Sequence, residues 1–390
     1  MIYLDNAATT PLHPKAKEAM LPYLDAIYAN PSSVYTIARS VRKTIDETRQ
    51  TLATAIGATA REIYFTASGT EADNWALQGI LENSTKGKHI ITCQVEHPGI
   101  ANMCKHLQDK YGATITTLPV DEHGMVNPAD VQNAITDQTC LVTIMLANNE
   151  VGTIQPLAAI SKITRQHGIY LHTDAVQAIA HIDVNVDDLG VDLLSLSAHK
   201  FYGPKGAGAL YIRKGTKIAP LFYGGAQERN YRAGTENVMG IVGLGAALTA
   251  TLEEMPAEQT RITHLRDYLI NQITTNIPHV KLNGHPTTRL PGNVNFSFRF
   301  IEGESLLLHL DMHGIAASTG SACSSGALEP SHVLMSMGLD HELANGAIRF
   351  SLGRTNTQAD VDKLLEVLIP TVKKLRDLSP LYDDYLKSGQ

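Results

Sequence analysis

The chain has 390 residues, of which 43% are hydrophobic and 18% charged, and its formal net charge is −7 at pH 7. This length suffices for a large apolar core and for two domains, and the negative charge argues against nucleic acid as the main partner. The N-terminus lacks the basic and apolar regions of a secretory signal, and the uncharged run 237–252 is shorter than the ~20 residues of a membrane span. We therefore expect that run to be a buried helix, with no membrane partner.

Apolar runs bounded by turn residues predict seven strands that alternate with helical patterns such as 44–56 and 71–81. The predicted strands are 63–66, 89–93, 114–118, 141–146, 169–172, 192–197 and 209–212. This alternation is typical of an α/β fold in which helices cover both faces of a mostly parallel sheet.

Beyond residue 240 the pattern changes. A helix is expected over 240–254, a charged amphipathic helix over 258–276 after Pro256, and a strand over 294–298. A last helical pattern covers 360–375, in which Pro370 predicts a kink or break. We place a domain boundary near residue 255.

Two charged residues lie at strand ends of the predicted sheet. Lys200 follows strand 192–197 between hydroxyl and imidazole groups, where a desolvated amine is suited to a Schiff base with pyridoxal phosphate (PLP). Asp174 follows strand 169–172, where an acid could pair with the pyridine nitrogen of that cofactor. A surface lysine and a helix N-cap are the alternative interpretations of these two residues.

Further polar groups follow the other strands. Residues 68–70 precede a helix, where free N–H groups attract phosphate. His97 follows strand 89–93 and could act as a proton shuttle, although a structural histidine is the commoner case. Asn149 follows strand 141–146. Because strand ends of a parallel sheet share one edge, these groups are expected to converge.

The C-terminal part adds a thiol and a guanidinium. Cys323 lies within the polar, glycine-rich run STGSACSSG, which predicts an exposed thiol on a mobile arm between Gly320 and Gly326 rather than an incidental loop residue. The chain's other cysteines, Cys93, Cys104 and Cys140, are interpreted as small buried hydrophobic residues. No cysteine pair has CxxC or metal-ligand spacing, which favours a reducing cytoplasm with neither zinc nor disulfides. Arg349 lies in a strand-like run and could bind a carboxylate.

Together these motifs resemble the class-V, fold-type I PLP enzymes, and specifically cysteine desulfurases of the NifS/IscS type. The resemblance covers nearly the whole chain, and the pairing of SAHK with GSAC is its most specific part. The motifs are YLDNAATTP (3–11), NPSS (30–33), GTEADN (69–74), EH (96–97), NNEVG (148–152), HTDAVQ (172–177), SAHK (197–200), GPKGAGALY (203–211), RAGTEN (232–237), STGSACSSG (318–326) and IRFSLGR (348–354).

The resemblance implies a large PLP-binding domain over 14–255 with a seven-stranded sheet. A smaller α+β domain, formed by 1–13 and 256–390, carries the cysteine loop. It further implies that Lys200 binds PLP covalently, and that Asn149 and Arg349 hold the carboxylate of L-cysteine. It also implies that Asp174 contacts the pyridine nitrogen of the cofactor, Gln177 its 3′-oxygen and His97 its ring. The implied phosphate-binding residues are Thr70, Ser197, His199 and Thr235. Of these, Thr235 would come from the second subunit of a homodimer.

The implied reaction converts L-cysteine to L-alanine and leaves the sulfur on Cys323 as a persulfide. An acceptor protein would then collect it: an iron–sulfur scaffold, a tRNA-thiolation enzyme or a thiamin-pathway carrier. An aminotransferase or selenocysteine lyase would share Lys200 and Asp174, although an aminotransferase does not need a loop thiol. A metallochaperone is disfavoured because no ligand spacing supports it, and a nucleotide-binding protein because neither GxxxxGK[ST] nor a post-strand GxGxxG is present.

Overall fold

The computed structural model describes residues 1–319 and 330–388. The elements in chain order are β1 (Ile2–Tyr3), α1 (Pro14–Met20), α2 (Pro22–Asp25), α3 (Thr36–Ala55), β2 (Ile63–Thr66), α4 (Gly69–Asn83), β3 (His89–Cys93), α5 (Pro98–Tyr111), β4 (Thr114–Leu118), α6 (Pro128–Ala134), β5 (Thr139–Thr143), α7 (Leu157–Gln166), β6 (Tyr170–Asp174), α8 (Val186–Leu189), β7 (Leu193–Ser197), β8 (Gly208–Ile212), α9 (Val238–Asn276), β9 (Val280–Leu282), β10 (Asn293–Phe298), α10 (Gly303–Met312), β11 (Ile315–Ala316), α11 (His332–Ser336), α12 (His341–Asn345), β12 (Ala347–Ser351), α13 (Gln358–Asp377) and α14 (Pro380–Ser388).

A seven-stranded sheet of order β2-β8-β7-β6-β5-β3-β4 confirms the predicted α/β fold. Within this sheet, β8 is the one described strand whose direction is opposite to that of the other six. Successive residues of a strand face opposite sides, so Leu193 and Leu194 of β7 belong to different apolar cores. Both faces are therefore buried by helices, and the polar groups that follow the strands gather at one edge.

A three-stranded antiparallel sheet of order β12-β10-β9 and a short parallel pair of β1 with β11 form the second part of the described fold. The core of this part contains Phe296, Phe298 and Phe350 together with apolar residues of α9, α10 and α13. Leu4 lies in the same core, so the N-terminus packs with the C-terminal sheet. We propose that this core and that of the large sheet correspond to the two domains predicted from the sequence.

The helix end predicted at Pro256 and the break predicted at Pro370 were both wrong. Helix α9 continues through Pro256, and α13 continues through Pro370. Both prolines are exposed. The backbone carbonyl that each proline leaves without its usual partner can therefore bind water, which removes the reason to end the helix.

Helix α9 is the one described helix that is long and apolar enough to meet the length and composition criteria for a membrane span, yet 61% of its most apolar window is buried inside the protein. Its first half packs with the large-sheet core through residues such as Leu244 and Leu248. Its second half packs with the smaller core through Leu265, Leu269 and Ile273. The helix thus joins the two cores, in agreement with the expected buried helix.

Candidate active site

A cavity of about 420 Å³ lies where the C-terminal ends of the parallel strands meet the N-terminal segment and β12. It brings together nine of the residues singled out from the sequence. They are Thr70, His97, Asn149, Asp174, Gln177, Ser197, His199, Lys200 and Arg349. Thr235 is exposed and does not line this cavity, and Cys323 lies outside the described residues.

Lys200 lies in a short 3-10 turn that directly follows β7. Its Nζ donates hydrogen bonds to the carbonyl oxygens of Ala7, at 2.6 Å, and Ala8, at 2.8 Å. The Gln177 side chain donates to the same Ala7 carbonyl at 2.9 Å. Side-chain patterns do not reveal this N-terminal wall, because backbone carbonyls leave no side-chain signal; the two alanines lie within the motif YLDNAATTP (3–11).

Asp174 is the last residue of β6 and is 6% exposed. Burial raises the pKa of this carboxyl group, whereas His97, the Val176 N–H and Lys200 act to lower that pKa. The carboxylate accepts a hydrogen bond from the Val176 N–H at 2.8 Å, and no helix begins there. The N-cap alternative is therefore wrong, and a ligand that presents a proton-bearing nitrogen would stabilise the charged carboxylate.

His97 caps helix α5 through its ring. The Nδ1 atom accepts a hydrogen bond from the Gly99 N–H at 3.0 Å. Burial lowers the pKa of His97, with Lys200 and His332 adding to the decrease and Asp174 opposing it. A neutral ring that accepts at Nδ1 carries its proton on Nε2, so the residue is both structural and able to donate a proton.

Two buried acids near the cavity, Asp73 and Glu96, lie within the recognised motifs GTEADN and EH but had no role assigned from the sequence. Asp73 lines the cavity, and its Oδ1 atom has no hydrogen-bond partner among the described residues. Burial raises the pKa of Asp73, and burial raises the pKa of Glu96 to about 8. The sequence does contain one indication of Asp73: it is a single acid among the apolar residues Ala72, Trp75 and Ala76 of the predicted helix.

Arg349 lies on β12 at the opposite wall of the cavity. Its terminal nitrogens donate to the Asn149 carbonyl and to the Asp5 carboxylate, each at 2.8 Å. The turn that carries Asn149 is also anchored through the next residue, because the Ser331 hydroxyl donates a hydrogen bond to the buried Glu150 carboxylate. The cavity thus combines an amine, a buried acid and a fixed guanidinium, an arrangement suited to a small amino-acid ligand with a cofactor.

Comparison with known proteins identifies the family. A family model described as aminotransferase class-V matches residues 2–364. A cysteine desulfurase IscS of Dictyoglomus turgidum is 54% identical over 98% of both chains. Among solved structures, a NifS-like protein superposes with a TM-score of 0.90 at 36% identity, covering 96% of this chain and 100% of its own. A structure described as SspA in complex with cysteine gives a TM-score of 0.81 at 34% identity, covering 90% and 99% of the two chains.

The chain belongs to the class-V aminotransferase family, among the cysteine desulfurases. Enzymes of this family use PLP, which is therefore the cofactor of this cysteine desulfurase. The recognised resemblance, the fold type and the cofactor predicted from the sequence are confirmed.

The residues present in the cavity fit this cofactor. Ser68 caps helix α4 through its side chain, and Ser68, Gly69 and Thr70 line the cavity at the start of that helix. The first N–H groups of a helix lack partners within it, and they favour a phosphate. A Cβ atom added to Gly69 would lie 2.6 Å from Cγ2 of Val176, so this close backbone approach requires glycine.

The described cysteines behave as expected for residues of a desulfurase that do not carry sulfur. Cys93, Cys104 and Cys140 are all buried, which confirms their interpretation as small core residues. Burial raises the pKa of Cys104 to about 12, and it raises the pKa values of Cys93 and Cys140 as well. These thiols therefore remain protonated at neutral pH and are poor nucleophiles.

Proposed function

We propose that this cysteine desulfurase converts L-cysteine to L-alanine and transfers the sulfur to Cys323 as a persulfide. The Cys323 thiolate attacks the substrate sulfur, so that an S–S bond forms and the Cβ–S bond breaks. The electron pair of that bond passes to Cβ, which gains a proton to give alanine. No external oxidant or reductant is required.

One observation carries this proposal: on each side of the stretch 320–329, which contains Cys323, a described residue bonds to a residue that lines the cavity or to its neighbour in sequence. At one end, the Arg349 N–H donates to the Ser318 carbonyl at 2.6 Å. At the other end, the His332 ring contacts the Glu96 carbonyl at 3.0 Å. Thr319 follows Ser318, which pairs with the cavity residue Arg349. Cys323 is four residues further on, a span of at most about 14 Å, and we propose that its thiol reaches the cavity.

The sheet-edge residues would hold the cofactor and move protons. When bound, PLP supplies a sink for the electrons released at Cα of the substrate. Lys200 would attach the cofactor and later take the Cα proton, and Asp174 would hold the protonated ring nitrogen. Gln177 would hold the 3′-oxygen and His97 the ring, and the phosphate would lie on the α4 terminus with Ser197 and His199.

The opposite wall would hold the substrate. Asn149 and Arg349 would bind the carboxylate of L-cysteine. A structural neighbour described as being in complex with cysteine supports this substrate class for the fold. A guanidinium matches a carboxylate through paired N–H groups, so it orients the amino acid as well as attracting it.

The working form is proposed to be a cytoplasmic homodimer. Thr235 is exposed and does not line the cavity of its own chain, which suits a contribution to the partner subunit's phosphate site. The persulfide would pass to an acceptor protein, an iron–sulfur scaffold or a tRNA-thiolation enzyme. Sedimentation at assay concentration tests the dimer, and transfer of labelled sulfur to each candidate acceptor tests the destination.

The reaction is tested with Cys323→Ser and the matched control Cys140→Ser. PLP-loaded protein is incubated with L-cysteine, alanine is quantified, and peptide masses are searched for added sulfur. The proposal expects alanine and a Cys323 persulfide in the control, and neither in Cys323→Ser. Normal desulfurase turnover in Cys323→Ser would exclude this role, and transfer of the amino group to an added 2-oxo acid would instead support an aminotransferase.

A further inference from the structure

Asp5 is remote from Arg349 in sequence and adjacent to it in space. The Arg349 terminal nitrogen lies 2.8 Å from Oδ1 of Asp5, and the side chains are 3% and 19% exposed, respectively. Asp5 does not line the cavity, whereas Arg349 does. The acid therefore contacts the guanidinium from behind, outside the space that a substrate would occupy.

Four contacts, two of the side chain and two of the backbone, fix the orientation of Arg349. One terminal nitrogen donates to Asp5, and the other donates to the carbonyl of Asn149. The backbone of Arg349 pairs with Asn295 in β10 and with Ser318 on its other side. Because the two terminal nitrogens have different anchors, rotation of the guanidinium plane would break at least one charge-assisted hydrogen bond.

These contacts leave some N–H groups of the Arg349 guanidinium available to bind a substrate. Of its five N–H groups, two donate to the described partners Asp5 and Asn149. The Nε atom of Arg349 is buried and has no hydrogen-bond partner among the described residues. A buried donor without a partner is costly, and a carboxylate is the group that a guanidinium binds best.

Asp5 is itself held rigidly along β12. Its backbone forms a bridge with Ser351, and the next residues continue the contact, since the Ala7 N–H donates to the Ser351 hydroxyl at 2.9 Å. The Tyr3 hydroxyl donates to the Asp5 carbonyl at 3.0 Å. The backbone that carries the carboxylate is therefore fixed before any substrate binds, as expected for a residue that orients another.

We propose that Asp5 is a positioning residue for substrate recognition, holding Arg349 so that its remaining N–H groups face the substrate carboxylate. This inference rests on the proposed role of Arg349 as the carboxylate-binding residue. It predicts that Asp5 determines how strongly the enzyme prefers amino acids to the corresponding amines.

The test compares L-alanine with ethylamine, which is alanine without its carboxylate. Neither ligand contains sulfur, so binding is separated from sulfur transfer. Apparent dissociation constants for both are measured on PLP-loaded protein from the change in visible absorption. Asp5→Ala is expected to reduce the preference for L-alanine about tenfold, the effect of losing one hydrogen bond to a charged group, and to leave ethylamine binding unchanged.

Asp5→Asn keeps an oxygen acceptor and removes the charge, so an intermediate loss of preference is expected. It also keeps the test informative if Asp5→Ala does not fold. Glu253→Gln is the matched control, because Glu253 forms an exposed ion pair with Lys15 at 2.9 Å. This control should bind both ligands as the natural protein does.

The possible failures are distinguishable. An unchanged preference, equal weakening of both ligands, or tighter L-alanine binding in Asp5→Ala would overturn the role of Asp5. Arg349→Lys tests the underlying assignment, since it should abolish most of the preference. Loss in Arg349→Lys without loss in the Asp5 variants rejects the Asp5 inference alone, and a preserved preference in Arg349→Lys rejects the proposed substrate site itself.

Discussion

The two walls of the cavity are built in different ways. On the large-sheet wall, His97, Asp174 and Lys200 each follow or end a strand of one sheet, so the backbone of that strand sets their positions. On the opposite wall, Arg349 of β12 depends on Asp5 from the other end of the chain. Local secondary structure therefore fixes the first wall, whereas contact between segments far apart in the sequence fixes the second. Substitutions in the first should affect the cofactor, and substitutions in the second should affect the substrate.

The largest expected effect is that of Lys200→Ala on the sheet-edge wall. Loss of the amine removes both covalent attachment of PLP and the proposed proton carrier, so desulfurase activity should fall at least about 10²- to 10⁴-fold. Visible absorption after gel filtration and alanine production are the measurements. Lys205→Ala, an exposed lysine of the same segment, is the control and should retain both. Retained activity in Lys200→Ala would contradict the account.

Gly69→Ala tests the close backbone approach at the cofactor site. The new Cβ atom would meet Cγ2 of Val176 at 2.6 Å, and overpacking of this kind costs about 1–3 kcal/mol. PLP affinity should therefore fall about tenfold, although alanine is the better helix former. Gly69→Ala combined with Val176→Ala should recover part of the affinity. No loss in the single variant would mean that the backbone relaxes easily.

Ser331→Ala tests the substrate wall below Asn149. Glu150 is buried, and its carboxylate accepts the Ser331 hydroxyl, while its carbonyl accepts from the side chains of Asn293 and Asn295, each at 3.1 Å. Loss of the hydroxyl partner should cost about 1–3 kcal/mol in unfolding free energy and raise KM for L-cysteine severalfold. PLP affinity should not change. Ser40→Ala, at an exposed position, is the control. Weakened PLP binding in Ser331→Ala would contradict the assignment of this wall to the substrate alone.

The smallest expected effect is a pH dependence of stability from Glu96. Its pKa is about 8 in the folded protein because burial favours the protonated form, and the ordinary value is 4.5. Its contribution is therefore complete below pH 4.5 and is lost as the pH rises through 8. Glu96→Gln mimics the protonated form and should melt a few degrees above the natural protein at pH 9, with no difference at pH 4.5. An equal difference at both pH values would show that Glu96 does not titrate in this range.

The sequence predicts the sheet-edge wall well because local signals define it. Strands β2, β3 and β4 have the expected bounds, and Lys200 and Asp174 lie at strand ends of one sheet. Strand β5 ends at Thr143, three residues earlier than predicted. The prediction was too long because the apolar run in the sequence continues beyond the last residue that pairs regularly in the sheet. The chain still follows β6 there, since the Leu146 N–H donates to the Asp174 carbonyl at 2.8 Å.

The other wall could not be derived from local patterns. The Asp5–Arg349 pair joins the two end regions of the chain, and the Ala7 and Ala8 carbonyls join the N-terminus to Lys200 in the middle of the chain. Nothing in the period or composition of either segment indicates its partner. Resemblance to a known family identified the motifs that contain these residues, but the contacts themselves appear only in the folded structure.

The central claim, that the cofactor is attached at the edge of the large sheet, is tested most directly by reduction with borohydride. Reduction makes the link between PLP and its lysine permanent, and peptide masses then identify the residue. The account predicts that the added mass lies on the peptide carrying Lys200, at that residue. A label on Lys205 or any other lysine, with Lys200 unmodified, would contradict the assignment of the site.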